Sequence, residues 1–449
     1  MDYYTNEDIK RDVRRRRRKN AQMKAYIALA VILIALIGGG IYGGIKISNT
    51  IKKNKPEKEV AVVESVVETT EEETTTVEET TVMETTTEEE TTLSPEEEAE
   101  LLLNELVDSC VSEMTLEEKV AGLFIVTPES LTGVATAIKA GEGTKEALEK
   151  YPVGGMIYFE KNMRSKDQIT EMITATKDMN AFPMFFAVDE EGGKVARVQS
   201  GLRMKKTPTM AELASENDPA KVTEVYDNIG TYLSEYGFNL NFAPVADVLT
   251  NEENTAIGQR AFGSDPALVS TMVSTAVTSL EGKNVSACLK HFPGQGAVST
   301  DTHTGMASTD RTLEEMKEVE FKPFMAGIEA GAQMIMVSHI SAPNVTGDNT
   351  PASLSKIMIT EILREELGFD GVVITDALNM AAISDYYTTG DACILALKAG
   401  ADMLLMPEDF EEAYEAVVNA VQNGTVSEER INDSLKRVYK IKYKSTLDK

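Results

Sequence analysis

From about Leu101 to the end of the chain, eight short apolar runs alternate with longer amphipathic stretches. That alternation admits few folds. A strand followed by a helix, repeated, builds a parallel sheet with its helices outside. The runs are Ala121–Val126, Gly154–Phe159, Met184–Asp189, Leu240–Asp247, Val285–Phe292, Met334–Ile340, Gly371–Ala377 and Met403–Pro407. Eight of them, with no G-x-G-x-x-G loop after the first, fit a (β/α)8 barrel of the TIM type better than an open doubly wound sheet. Asn217-Asp218-Pro219 and Ser264-Asp265-Pro266 each put a capping side chain before a proline suited to the first helical turn, so both predict helix starts. Ser427–Tyr443 reads as a closing helix, which leaves little chain for a second domain.

The first hundred residues are different material. Ala25–Ile45 carries no charge and as a helix would be about 31 Å long, enough to span a bilayer once. Arg14–Lys19 precede it, so the positive-inside rule keeps residues 1–24 in the cytoplasm and puts the rest outside the cell membrane. The run is longer than a signal-peptide core and no A-x-A-like site follows, which favours an uncleaved anchor. Residues 46–98 are largely Thr, Glu and Val, with 16 Glu and 1 Lys from Pro56 to Glu98. Such a segment cannot bury enough apolar surface to fold, and it reads as a disordered stalk holding a single catalytic domain, 99–449, away from the membrane.

The net charge of −29 excludes a nucleic-acid partner, because phosphate binding needs a basic face. Cys110, Cys288 and Cys393 are odd in number and in no metal or redox spacing, so they read as buried small hydrophobes. No metal cluster or cofactor loop is visible, and neither is expected.

In a barrel of this kind, chemistry gathers where the strands end. Run three ends in Asp189, four in Asp247, five in Lys290-His291, six in His339 and seven in Asp376; His303, the third histidine, lies two residues beyond Asp301 in the connection after run five. A strand-end aspartate can simply cap a helix, and a lone histidine can simply be hydrogen-bonded. Their coincidence on one rim raises the case for a site.

Lys290-His291-Phe292-Pro293-Gly294-Gln295-Gly296, then Asp301-Thr302-His303, with Val188-Asp189-Glu190-Glu191-Gly192-Gly193 upstream and Ile374-Thr375-Asp376-Ala377 downstream, resemble the glycoside hydrolase family 3 β-N-acetylglucosaminidases of bacterial cell-wall turnover. The likeness covers roughly Leu101 to Gly424. It implies retaining cleavage of a terminal β-linked N-acetylglucosamine from peptidoglycan fragments, with Asp376 as nucleophile and His303, paired with Asp301, as acid/base. It also implies that Asp189, Arg197, Arg260, Lys290 and His291 hold the sugar hydroxyls. A cation such as Lys290 would keep Asp376 ionised, and an imidazole can give and retake a proton near neutral pH. The chain departs from the family's pattern at Gln295 (commonly histidine), Lys194 (arginine) and Glu190 (glutamine). Gln295 could alter closure of the Pro293–Gly305 loop, and Glu190 would add negative charge beside the sugar. A β-N-acetylglucosaminide phosphorylase, a non-catalytic wall-binding barrel and a β-glucosidase of the same broad family are the competing expectations.

Overall fold

A computed structural model of the chain describes residues 94–298, 302 and 305–447. These divide into two units at Leu102 and Leu103. In the first, residues 95–102 are helical. Residues 95–98, expected to be the last of the disordered stalk, are thus helical: Ser94 N–H donates to Glu97 Oε2 at 2.7 Å and Glu97 N–H returns to Ser94 Oγ at 3.2 Å, a reciprocal cap before Pro95. The basic tail, the Ala25–Ile45 span and the rest of the stalk lie outside the described residues. Among the described residues, no helix is long and apolar enough to cross a membrane.

The second unit contains the eight expected strands: β1 Phe124–Val126, β2 Gly155–Ile157, β3 Phe185–Val188, β4 Leu240–Asn241, β5 Ser286–Phe292, β6 Met334–Val337, β7 Val372–Thr375 and β8 Leu404–Leu405. All are parallel, in the order β7-β6-β5-β4-β3-β2-β1-β8. A parallel bridge, Ile374 to Met403, joins the two ends, so the sheet comes close to closing on itself. Helices follow the strands in turn: α1 Glu142–Lys150, α2 Lys166–Met179, α3 Pro219–Tyr236, α4 Pro266–Glu281, α5 Phe321–Glu329, α6 Ile357–Glu366, α7 Thr389–Ala399 and α8 Phe410–Gln422. α9, Glu428–Leu447, is the closing helix. Asp218 and Asp265 cap α3 and α4 as their sequences predict, accepting from Ala220 N–H at 3.0 Å and Ala267 N–H at 2.9 Å.

A parallel sheet covered on both faces needs strands that are apolar on both, and every residue of β3, β6 and β7 is buried. Ile125, Phe185, Leu240, Cys288, Met334 and Ile374 fill the interior with side chains, joined by Val438 and Ile441 of α9. The three cysteines are free and buried.

Two apolar runs are longer than the strands they form. In Leu240–Asp247, regular pairing stops at Asn241, because Pro244 has no N–H to offer the ladder, and resumes as a bridge from Val245 to Lys290. In Met334–Ile340 the strand stops at Val337. Ile340–Ser341 instead pairs with Ala307–Ser308, tying the connections after β5 and β6 together beyond the barrel.

Candidate active site

Past the C-terminal ends of the strands the βα connections enclose a pocket of about 590 Å³. Asp189, Arg197, Arg260, Lys290, His291 and Asp376 all line it, although they come from connections and strands far apart in the chain. Six of the eight residues singled out from sequence are thus brought together. The other two, Asp301 and His303, lie outside the described residues.

Lys290, on β5, is buried and its Nζ lies 2.7 Å from Asp189 Oδ1 and 2.6 Å from Glu191 Oε1. Arg260 grips the same Glu191 with two nitrogens, Nε and Nη2, each at 2.8 Å. Its Nη2 also stands 3.3 Å from His291 Nε2. The other imidazole nitrogen, Nδ1, is 2.7 Å from Asp247 Oδ2. Asp247 is fully buried and its second oxygen accepts from Gln295 N–H at 2.6 Å. The strand-four aspartate therefore orients the strand-five histidine and does not line the pocket itself.

Asp376 stands just past β7 and accepts from the Ala377 N–H at 2.8 Å. Burial opposes its ionisation, but His339, His291, the Ala377 amide and Lys290 together carry its pKa below the ordinary carboxylate value. The carboxyl is thus held as an anion. Lys290 is among the groups that lower it, as expected, and the two histidines act in the same direction. His339 acts from outside the pocket lining, with Nδ1 2.8 Å from Ser353 Oγ and Nε2 3.0 Å from the Ala377 carbonyl oxygen.

Glu190 does not take the part expected of it, and Glu191 does. Glu190 does not add charge beside the pocket. It is fully buried and accepts from Tyr232 Oη at 2.6 Å, Val198 N–H at 2.7 Å and Gln199 N–H at 3.1 Å. Glu191 is the pocket carboxylate, and it was not among the sequence candidates. Alternation along an extended chain puts residues 189 and 191 on one side and 190 on the other, a signal already present in the motif. Burial alone would raise the Glu191 pKa, yet Arg260 and Lys290 outweigh it and hold the group well below the carboxylate range.

A depressed folded pKa stabilises the fold above the unfolded value, here 4.5, and that contribution is lost as pH falls. Breaking such a buried pair from one side leaves uncompensated charge. Glu191→Gln is therefore expected to cost about 3–5 kcal/mol at neutral pH, with the gap to wild type narrowing on acidification below the unfolded pKa; denaturant melts at several pH values check both.

Arg197 reaches the pocket with its Nη1 3.3 Å from Glu160 Oε1 and its guanidinium 5.8 Å from the centre of the Phe159 ring. Lys194 lines the pocket as well. Gln295 Nε2 donates to Thr302 Oγ1 at 3.1 Å, and the Thr302 carbonyl oxygen accepts from Ala382 N–H at 3.3 Å. Thr302 is the residue between Asp301 and His303, so Gln295 does bear on that connection. Among the described residues no group of three or more His, Cys, Asp or Glu is placed to hold a metal ion.

Ionisable carboxylate, fixed donors and a pocket open at the rim of a parallel barrel are what sugar chemistry needs. The family model "Glycosyl hydrolase family 3 N terminal domain" matches residues 115–441. The chain belongs to glycosyl hydrolase family 3. The family match takes in all eight strands and every residue that lines the pocket. "Beta-hexosaminidase A" of Pseudoalteromonas piscicida is 33% identical over 326 residues, which are 67% of this chain and 54% of that relative. "Beta-hexosaminidase" of Xanthomonas oryzae pv. oryzae is 36% identical over 294 residues, 64% of this chain and 86% of that relative. Among solved structures, a glycoside hydrolase family 3 β-N-acetylglucosaminidase from Paenibacillus sp. str. FPU-7 superposes with a TM-score of 0.70 at 32% identity, covering 75% of this chain and 64% of that one. The chain thus spans a little over half of the first relative and under two thirds of the Paenibacillus chain.

Proposed function

We propose that this family 3 chain is a retaining exo-β-N-acetylglucosaminidase acting on peptidoglycan-derived glycans that end in N-acetylglucosamine. The observation that carries the reading is the shared pocket: Asp376, with a lowered pKa, faces the same cavity as the Lys290 and Arg260 donors, the His291 ring and the Asp189 and Glu191 acceptors. The hexosaminidase names of the curated relatives and of the Paenibacillus structure support the choice of sugar.

In this mechanism Asp376 attacks the anomeric carbon, forming a glycosyl-aspartate as the bond to the leaving oxygen breaks. His303, oriented by Asp301, gives that oxygen its proton. The imidazole then takes a proton from water, which attacks the same carbon and returns Asp376 as a carboxylate. Two inversions at one carbon leave the β configuration unchanged. Lys290, Arg260 and Arg197 supply fixed donors to a neutral sugar, while Asp189 and Glu191 accept from its hydroxyls and keep the cations in place.

The test is product analysis in phosphate buffer with an aryl β-N-acetylglucosaminide. N-acetylglucosamine released first as the β anomer is the expected product. Predominant N-acetylglucosamine 1-phosphate would make the enzyme a phosphorylase, and no release at all would favour a wall-binding protein. The uncharged Ala25–Ile45 run beside Arg14–Lys19 supports an assignment to the outer face of the cell membrane. Protease added to intact cells is expected to remove the catalytic domain from a membrane-bound N-terminal stub; full protection would overturn that placement.

A further inference from the structure

Arg197 enters the pocket from a short turn of helix, Arg197–Gly201. Its guanidinium meets one carboxylate oxygen of the half-exposed Glu160 and the Phe159 ring, and its charge also bears on Glu190. Its aim must therefore be set largely by its backbone. Three successive amides of that turn are tied to two successive residues beyond β3. Arg197 N–H donates to the Asp189 carbonyl oxygen at 3.2 Å, Val198 N–H to Glu190 Oε2 at 2.7 Å and Gln199 N–H to Glu190 Oε1 at 3.1 Å.

Glu190 is itself held from several sides. Asn241 of β4 clamps its backbone, accepting its N–H at 2.9 Å and donating to its carbonyl oxygen at 3.0 Å. Tyr232 of α3 donates to Oε1 at 2.6 Å, and the same phenol oxygen receives Gln199 Nε2 at 3.0 Å. The surroundings offer this side chain three donors, two of them backbone amides that cannot reverse. Burial pushes the Glu190 pKa up to about 7 although all three donors oppose the rise, and the ionised carboxylate accepts all three. The glutamine that the family's pattern commonly has at this position could accept from only one of the two backbone amides, its NH2 facing the other, so in this chain it is the departure to glutamate that lets both be satisfied.

We propose that Glu190 is a positioning residue for substrate binding, whose carboxylate fixes the Arg197 turn and so holds the guanidinium in the sugar pocket. It touches no sugar and acts through Arg197. The inference rests on the hydrolase reading, in which Arg197 contacts the substrate.

The experiment is a double-mutant cycle on the full chain, using an aryl β-N-acetylglucosaminide. Glu190→Gln is expected to raise KM by about 10-fold or more, the scale of a lost charge-assisted hydrogen bond, with kcat within about 3-fold of wild type. Arg197→Ala raises KM as well, and the double variant is no worse than Arg197→Ala alone, because both changes remove one interaction. Additive losses, or a loss confined to kcat, would overturn the proposal. Tyr232→Phe removes one donor while keeping the ring, and carries the same cycle if Glu190→Gln fails to fold. Wild-type turnover is the separate control: a wild-type chain that releases no chromophore refutes the hydrolase reading, whereas an active wild type with an additive cycle refutes only the role of Glu190.

Discussion

Asp376→Ala is expected to lower kcat by roughly 10⁴–10⁶-fold, the range seen when a nucleophile that acts as part of a catalytic unit is removed. Asp376 is the pocket carboxylate just past β7, and it remains ionised in spite of its burial because His339, His291, the Ala377 amide and Lys290 favour the charge. Alanine leaves no atom to form the glycosyl bond, and the fixed donors that remain can only bind sugar. Neither ion pair of Lys290 involves Asp376, so the paired array beneath the sugar should survive. Turnover of an aryl β-N-acetylglucosaminide measures the loss. Added azide provides a discriminating check: occupying the vacated space, it should restore cleavage and yield the α-glycosyl azide. Retention of more than about one hundredth of wild-type kcat would contradict the nucleophile assignment.

His303→Ala is expected to slow hydrolysis of a disaccharide by about 10²–10⁴-fold, the usual worth of general acid–base catalysis. The loss should depend on the leaving group. A sugar alkoxide leaves only with a proton, whereas a nitrophenolate is stable without one, so glycosylation with the aryl substrate should be far less affected. Deglycosylation then becomes limiting, because water has lost its base. Steady-state kcat and kcat/KM on both substrates separate the two steps; equal losses in kcat/KM on each would remove histidine from the acid role. Asp301→Asn should give a weaker version of the same pattern, since it leaves the imidazole in place but takes away the charge proposed to orient it.

The reach of the sequence differs between the scaffold and the site. The eight apolar runs correspond one to one with the strands of the barrel, since burial on both faces of a parallel strand demands a continuous apolar stretch that one-dimensional reading can see. Strand ends were less legible. Pro244 interrupts β4, and Ile340 leaves the barrel for Ala307, an outcome set by which connections meet. Within the site, Asp189, Lys290, His291 and Asp376 were nameable from their place at the ends of apolar runs and from the motifs around them, whereas Arg197 and Arg260 came only through the family resemblance. Glu191 was missed although period-two alternation distinguishes it from Glu190. The pairing of Asp247 with His291 joins residues 44 positions apart, and nothing local in either segment announces it.

The sequence alone determined where strands, helices and a strand-end ring of polar residues would fall, because hydrophobic periodicity and capping are local properties of a chain. Only the tertiary structure decided which charge meets which. It placed Glu191 between Arg260 and Lys290, turned Glu190 inward onto the Arg197 turn, and brought His339 and His291 to join Lys290 in lowering the Asp376 pKa. Electrostatic energy depends on distance and burial across elements far apart in the chain, and neither quantity exists until the sheet comes close to closing.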